Sequence, residues 1–309
     1  MRRKENVKNY LEYYFEYCQY RKELDLKTLK AYKIDLKQFF TFPGIENPEK
    51  KEIEQYITCL HKKYKQKTVK RKIASIKAFY NFLEREGYIE NNPFRRIQVK
   101  FKETILLPRI IPREEIEKLL NCMYLGVTSL RGEDRKLCFR DIAVVELFFA
   151  TGARVYEISN IREEGVDLNS GLIRIMGKGG KERYIQIANS SVLKILKQYY
   201  AENKAMIRKS GYFFTNQRGT RFTEQSMRIM LKKYTKKAGI TRNITPHMFR
   251  HSFATYLIEE GVDISCVQQI LGHSSIKTTQ IYIHVAARKQ AEILRNMHPR
   301  NRMKIIFAA

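Results

Sequence analysis

Acidic residues are scarce in this chain relative to basic ones. Its 309 residues include 59 Lys and Arg against 32 Asp and Glu, a net charge of +27. That surplus argues against a basic or neutral partner. It calls for an anionic one, nucleic acid first and an anionic membrane surface second. Long apolar runs are also missing. The longest, Ala143 to Ala150, is short and interrupted by Glu146, whereas a spanning helix needs about 20 apolar residues. No apolar segment follows the basic residues of MRRKENVKNYLEYY, so this end does not read as a signal peptide. Cys18, Cys59, Cys122, Cys138 and Cys266 are odd in number, scattered and never spaced C-x-x-C. That pattern argues against a disulfide framework or a zinc site. The chain has no G-x-x-x-x-G-K-[ST] loop and no obvious carboxylate cluster for paired metals. The expectation is a protein of the reducing cytoplasm, with no membrane span, no cofactor and no metal.

What is present is a folded, two-domain composition. Hydrophobic residues make up 43% and charged residues 29%, too apolar for a disordered chain, and the length exceeds what one core usually serves. The charge is spread rather than confined to a tail: residues 1–104 carry a net +11 and residues 105–309 a net +16. Two basic domains suit a clamp that grips a duplex from two sides, with phosphate contacts dominating affinity. Helical periodicity predicts segments over 6–20, 25–40, 51–63 and 68–87. In the last of these, Val69, Ile73, Ile76, Phe79, Tyr80 and Phe82 share a face and Gly87 marks the end. The start of that helix is the basic run HKKYKQKTVKRK, from His61 to Lys72. Its Lys62, Lys63, Lys65, Lys67, Lys70 and Arg71 are the candidate DNA-backbone contacts, with a solvated helix end as the plain alternative.

Asn91-Asn92-Pro93 ends the first bundle, and the stretch from 94 to 111 reads as an extended linker. A second domain opens at Pro112, with Glu114 and Glu115 at a positive helix end. Residues 134–151 read as a buried helix. The period then changes: GLIRIMG from Gly171 and ERYIQI from Glu182 are short strands joined at Lys178-Gly-Gly-Lys181, a hairpin signal. Helices are expected from Ser191 onward.

Five short motifs in this second domain carry candidate chemistry. They are Thr151-Gly-Ala-Arg154-Val-Tyr-Glu157; Lys178 in MGKGGKER; Thr245-Pro246-His247-Met-Phe-Arg250-His251; Leu271-Gly-His273-Ser-Ser; and Thr278-Thr-Gln-Ile-Tyr282-Ile-His-Val. Taken singly, each has a plain structural explanation: a surface arginine, a solvated turn, a capped helix, a polar turn, a half-buried aromatic. The third is the most suggestive. Thr245 as N-cap and Pro246 at the first helical position place His247 and Arg250 near a helix N-terminus, where anions are favoured. Lys181 is the rival to Lys178. Glu157 reads as a structural partner of the Arg154 turn. His251 and His284 read as structural or outer contacts, and Tyr256 as core.

The order Arg154, Lys178, His247, Arg250, His273, Tyr282 resembles the tyrosine site-specific recombinases of the phage-integrase family, and within them the Xer-like proteins. The spacings of 24 residues from Arg154 to Lys178 and 9 from His273 to Tyr282 suit that pattern, and the resemblance covers nearly the whole chain. It implies a mainly helical α+β architecture. Residues 1–93 would be an N-terminal SAM-like core-binding bundle, 94–111 a linker, 112–299 the catalytic domain and 300–309 a tail. It also implies strand exchange without metal or ATP. Arg154 and Arg250 would neutralise the scissile phosphate through forked donors. Tyr282 would attack phosphorus, with His247 as candidate base and His273 hydrogen-bonding the phosphate. Lys178 would protonate the leaving 5′ oxygen. The implied partners are double-stranded DNA with paired inverted core sites and a homo- or hetero-tetramer. Segments from about Ala286 onward would exchange between protomers, with Ile305, Ile306 and Phe307 reinforcing the exchange. Two readings compete: a DNA-binding architectural or regulatory protein that keeps the fold, and a type IB topoisomerase-like nicking enzyme.

Overall fold

The computed structural model describes residues 7–45, 48–99, 101, 109–177, 180 and 182–272. The chain divides into two compact units, Met1–Thr104 and Ile105–Ala309. The first is helical. After a short 3-10 turn over Val7–Tyr10 come α1 (Leu11–Glu16), a π turn over Tyr17–Arg21, α2 (Leu26–Phe40), α3 (Lys50–Lys63) and α4 (Gln66–Arg85). Local chemistry sets the ends. The Asp25 side chain accepts from Thr28 N–H at 2.8 Å and starts α2. Glu49 and Glu52 form a reciprocal capping box on α3. Gly87, at φ +77°, follows the last turn of α4.

Aromatic rings fill this bundle. Phe39 packs edge-on to Tyr56 at 5.1 Å, and Phe79 edge-on to Tyr14 at 5.1 Å. The stretch expected as linker contributes to the same core: Phe94 and Ile97 are buried in it, and Val99 and Phe101 pack against it. Their apolar spacing was masked in sequence by the surrounding Arg, Lys and Gln. The basic run also divides differently from the sequence expectation. His61 to Lys63 close α3, Tyr64 and Lys65 make the turn, and Gln66 to Lys72 open α4. Two helices thus share what reads in sequence as one basic helix start.

A fully buried carboxylate sits inside this unit. Asp35 is ion-paired with Arg71, accepts from the Lys72 ammonium at 2.9 Å and from Ser75 Oγ at 3.1 Å. Lys72 itself is only 3% exposed.

The second unit builds a larger core around α6 (Gly132–Thr151), a helix apolar on nearly every face. It packs against α5 (Arg113–Thr128), α8 (Ser190–Ser210), α9 (Glu224–Lys237) and α10 (Pro246–Glu259). Between α6 and α8 lie α7 (Val155–Ser159) and a three-stranded antiparallel sheet of order β1 (Val166–Asp167), β2 (Leu172–Met176), β3 (Glu182–Gln186). Ile173 faces Ile185 across the sheet, and both side chains enter the core with Ile175. The two-residue β1 is too short to leave a period in the sequence. The described residues end with α11 (Ile264–Leu271), capped by Asp263. Tyr256 is half-buried rather than fully core, its hydroxyl donating to Ile111 O at 2.6 Å. No helix among the described residues is long and apolar enough to cross a membrane.

Removing Asp35 leaves Lys72 buried without its counter-charge. Asp35→Ala is expected to cost about 3–5 kcal/mol in urea unfolding, a large share of the stability of a unit this size.

Candidate active site

The site begins where α6 stops. Gly152 takes φ +59° after Thr151, and a Cβ there would lie 2.6 Å from the Phe253 ring and 2.7 Å from Leu271. Only glycine accepts both the left-handed backbone and that close approach. The turn delivers Arg154 to the N-cap of α7. Glu157, one turn further on, accepts the Arg154 backbone N–H at 2.7 Å and its Nη1 at 2.9 Å. An arginine rarely caps a helix; here the carboxylate supplies the capping acceptor and the arginine keeps a part-exposed guanidinium.

Glu157 is 2% exposed and serves a second arginine. Arg183 of β3 donates Nη1 to Oε1 at 2.9 Å and Nη2 to Oε2 at 2.8 Å, a bidentate fork. Its Nε reaches the Ile270 carbonyl at the end of α11, 3.2 Å away. Burial alone would raise the Glu157 carboxyl. The hydrogen bonds from Arg183 and the Arg154 N–H, with the two positive charges, overcome that and hold it below the usual carboxylate range.

Arg250 braces the same corner from α10. The side chain is buried, with Nη1 on Gly152 O and Nη2 on Leu271 O, each at 2.8 Å. It thereby ties the turn that leads to Arg154 to the helix end that leads to His273. Thr245 is the N-cap of α10 and Pro246 occupies its first turn, as the sequence predicts, although the Thr245 side chain makes no capping hydrogen bond. His247 is exposed on the same helix. His251 is partly buried; burial, then the His247 and Arg250 charges, lower its pKa below the ordinary histidine value.

Among the sequence-derived candidates, Arg154 and Arg250 therefore meet at one corner, through Gly152, and His247 lies one turn from Arg250. Lys178, His273 and Tyr282 lie outside the described residues, as do Lys181, His284 and the whole stretch from 273 to the C-terminus. Sequence reasoning missed Arg183. Its signal was present: Arg183 is two residues from buried Ile185, so period-two alternation puts it on the inward face. Among the described residues, no group of three His, Cys, Asp or Glu side chains gathers as a cation site.

In the first unit Lys62, Lys63, Lys65, Lys67, Lys70 and Arg71 are all exposed. Arg71 is held by Asp35, and the Lys70 ammonium lies 5.9 Å from the centre of the Phe101 ring. The first turn of α4 carries no acidic residue. Lys65 and Lys67 therefore add positive charge to a helix end that is already positive.

Comparison with known proteins places both units in one family. Residues 109–289 match the phage integrase family, and residues 11–87 match the phage integrase N-terminal SAM-like domain. A tyrosine recombinase of Agathobacter rectalis is 48% identical over 299 residues, covering 96% of this chain and 98% of its own. Tyrosine recombinase XerC of Oceanobacillus iheyensis is 35% identical, over 94% of this chain and 96% of its own. Among solved structures, the site-specific recombinase XerH bound to its palindromic difH substrate shares the fold. It superposes with a TM-score of 0.72 at 23% identity, over 93% of this chain and 84% of its own. The mainly helical fold with its small antiparallel sheet is that of a strand-recombining enzyme. The chain belongs to the phage integrase family of tyrosine recombinases. Site-specific DNA recombination through a tyrosine intermediate is the activity of this class.

The Glu157 carboxyl favours the folded state wherever it is ionised, and that contribution disappears as pH falls through its lowered folded value. Glu157→Gln should therefore lose stability most near pH 7. The gap to the parent protein should close below the ordinary glutamate range, near pH 4 and under. Thermal melts across pH 3–8 check this.

Proposed function

We propose that this recombinase cuts and rejoins duplex DNA at paired inverted core sites by the six-residue chemistry of Arg154, Lys178, His247, Arg250, His273 and Tyr282. The observation that carries the reading is the turn after α6, where Arg250 donates to the Gly152 carbonyl and Glu157 holds the guanidinium of Arg154 two residues further on. A phosphodiester is anionic and repels a nucleophile, so two guanidinium groups at one backbone turn supply the neutralisation that attack requires. Arg154 offers the more exposed guanidinium, and Arg250 holds the backbone on which that side chain is mounted.

The Tyr282 oxygen forms a bond to phosphorus while the bond to the 5′ oxygen breaks. His247 assists removal of the tyrosine proton, and Lys178 gives a proton to the departing 5′ oxygen. His273 hydrogen-bonds the phosphate. The 3′-phosphotyrosine link conserves the bond, so a 5′ hydroxyl from another strand can reverse the step without ATP. Residues 112–299 supply this chemistry. Residues 1–93 grip the duplex through Lys62, Lys63, Lys65, Lys67, Lys70 and Arg71. An anion beside the first turn of α4 relieves the positive charge concentrated there. The enzyme then acts in the cytoplasm, where such DNA resides.

Assembly into a tetramer by C-terminal exchange is supported by a groove of about 560 Å³ in the second unit. Its lining includes the apolar Ile116, Leu120, Phe149 and Leu257, with three carboxylates, Glu117, Glu146 and Glu260, against one cation, Arg113. Glu260 is paired with Arg113, and Glu146 accepts from the Tyr124 hydroxyl. An acidic lining is unusual on a chain of net charge +27. It complements the segment from Ala286 to Ala309, which alternates Arg288, Lys289, Arg295, Arg300, Arg302 and Lys304 with apolar residues. The occupant is that segment of a second copy.

Covalent trapping tests the chemistry. With nicked suicide duplexes and chelator in place of magnesium, the parent should give a protein–DNA adduct on denaturing gels, and Tyr282→Phe none. An adduct that persists in Tyr282→Phe, or an absolute need for metal, sinks the mechanism. Leu120→Arg tests the groove. It should leave binding to one half-site unchanged while abolishing the slower-migrating synaptic complex; intact synapsis would show that the segment docks elsewhere.

A further inference from the structure

Arg183 belongs to none of the roles above, yet its guanidinium is closely engaged beside the site. All three of its guanidinium nitrogens are aimed at protein acceptors, two at Glu157 and one at Ile270 O. The side chain is 15% exposed. Those three bonds fix where the side chain sits. Its backbone position is what matters. Arg183 is the second residue of β3 and pairs with Ile175 of β2, at the base of the connection that contains Lys178. From the other side, Gly272 closes on it at φ +62°. A Cβ at Gly272 would lie 3.1 Å from Arg183 Nη1 and 3.2 Å from its Cδ.

We propose that Arg183 is a positioning residue for the general acid. It clamps the base of the β2–β3 hairpin to Glu157, and through Glu157 to Arg154, so that the Lys178 ammonium meets the leaving oxygen while the phosphate rests on the arginine corner. The inference deepens the recombination chemistry proposed above and rests on it. The Tyr282 hydroxyl gives its proton to His247 as its oxygen bonds to phosphorus, the P–O5′ bond breaks, and one proton moves from the Lys178 ammonium to the 5′ oxygen, leaving a neutral amine and a 5′ hydroxyl. Arg183 neither gives nor takes a proton. Lysine cannot replace it, because a single ammonium cannot span both carboxylate oxygens and a carbonyl on the opposite side.

The test compares single-turnover cleavage of two suicide duplexes, one with the ordinary phosphodiester and one with sulfur replacing the bridging 5′ oxygen at the scissile position. A thiolate departs without a proton, so the sulfur substrate bypasses the general acid. A misplaced catalytic group typically costs on the order of 10²-fold, so Arg183→Lys and Arg183→Gln should cleave the oxygen substrate about 10- to 100-fold more slowly than the parent. On the sulfur substrate both should return to within about threefold of it, as Lys178→Ala should, because the acid's contribution is then absent from every rate. Adding Arg183→Lys to Lys178→Ala should slow oxygen cleavage no further. Arg183→Lys keeps the charge and most of the bulk, so it serves if Arg183→Gln fails to fold. Equal losses on both substrates, or parent-like cleavage of the oxygen substrate by Arg183→Lys, would overturn the proposal. Rescue of Lys178→Ala without rescue of the Arg183 variants overturns the Arg183 role alone. Failure of sulfur to rescue Lys178→Ala removes the Lys178 assignment beneath it.

Discussion

One carboxylate shared by two guanidinium groups sets the geometry of the second unit. Glu157 caps α7 through the Arg154 N–H, orients the Arg154 side chain and receives the Arg183 fork. Together these contacts join three pieces of chain: the turn after α6, the hairpin and, by way of Arg183 Nε, the end of α11. A buried carboxylate with one partner would be a poor trade against its desolvation. With two cations and a backbone N–H it stays ionised, as its lowered pKa indicates. Arg250 completes the frame with backbone carbonyls instead of side chains. Carbonyl acceptors at the C-terminal ends of α6 and α11 are the natural partners for a cation. They hold Arg250 without cancelling its charge.

The same device recurs in the first unit. Asp35 is buried and gathers Arg71 and Lys72 at the start of α4. In a chain with so few acidic residues, these two carboxylates are placed where several cations must be brought close and kept apart. The lysines of the basic run other than Lys72 are exposed, with Lys70 beside the Phe101 ring. In the proposed reading the lysines supply long-range attraction and the braced arginines supply geometry.

Much of this was legible in the sequence. The helices read at 25–40, 51–63 and 134–151 followed from periodicity, and the structure places them at Leu26–Phe40, Lys50–Lys63 and Gly132–Thr151. The hairpin followed from a change of period at Gly171. The functional class rested on six positions in order, because no single motif outweighed its plain structural explanation. Other features were hidden for physical reasons. Asp35 and Lys72 look like surface residues until tertiary contact pairs them. Phe94 and Ile97 sit among charges and prolines that read as linker, yet their side chains reach a core built from residues far earlier in the chain. Arg250 reads as an outward-facing phosphate ligand. Its inward turn depends on carbonyls about 100 and 20 residues away in sequence, which no local pattern encodes. Arg183 was readable by strand alternation, but a basic residue in a basic segment does not stand out.

The central claim is that Glu157 organises the phosphate-binding corner rather than merely supporting the fold. Single-turnover cleavage by Glu157→Gln, with enzyme in excess and DNA affinity measured in the same buffer at pH 7, tests it most directly. The account predicts affinity within about twofold of the parent and a cleavage rate lower by at least about tenfold, the scale expected when a reacting group is displaced without loss of binding. An unchanged cleavage rate, or a loss confined to DNA affinity, would contradict it.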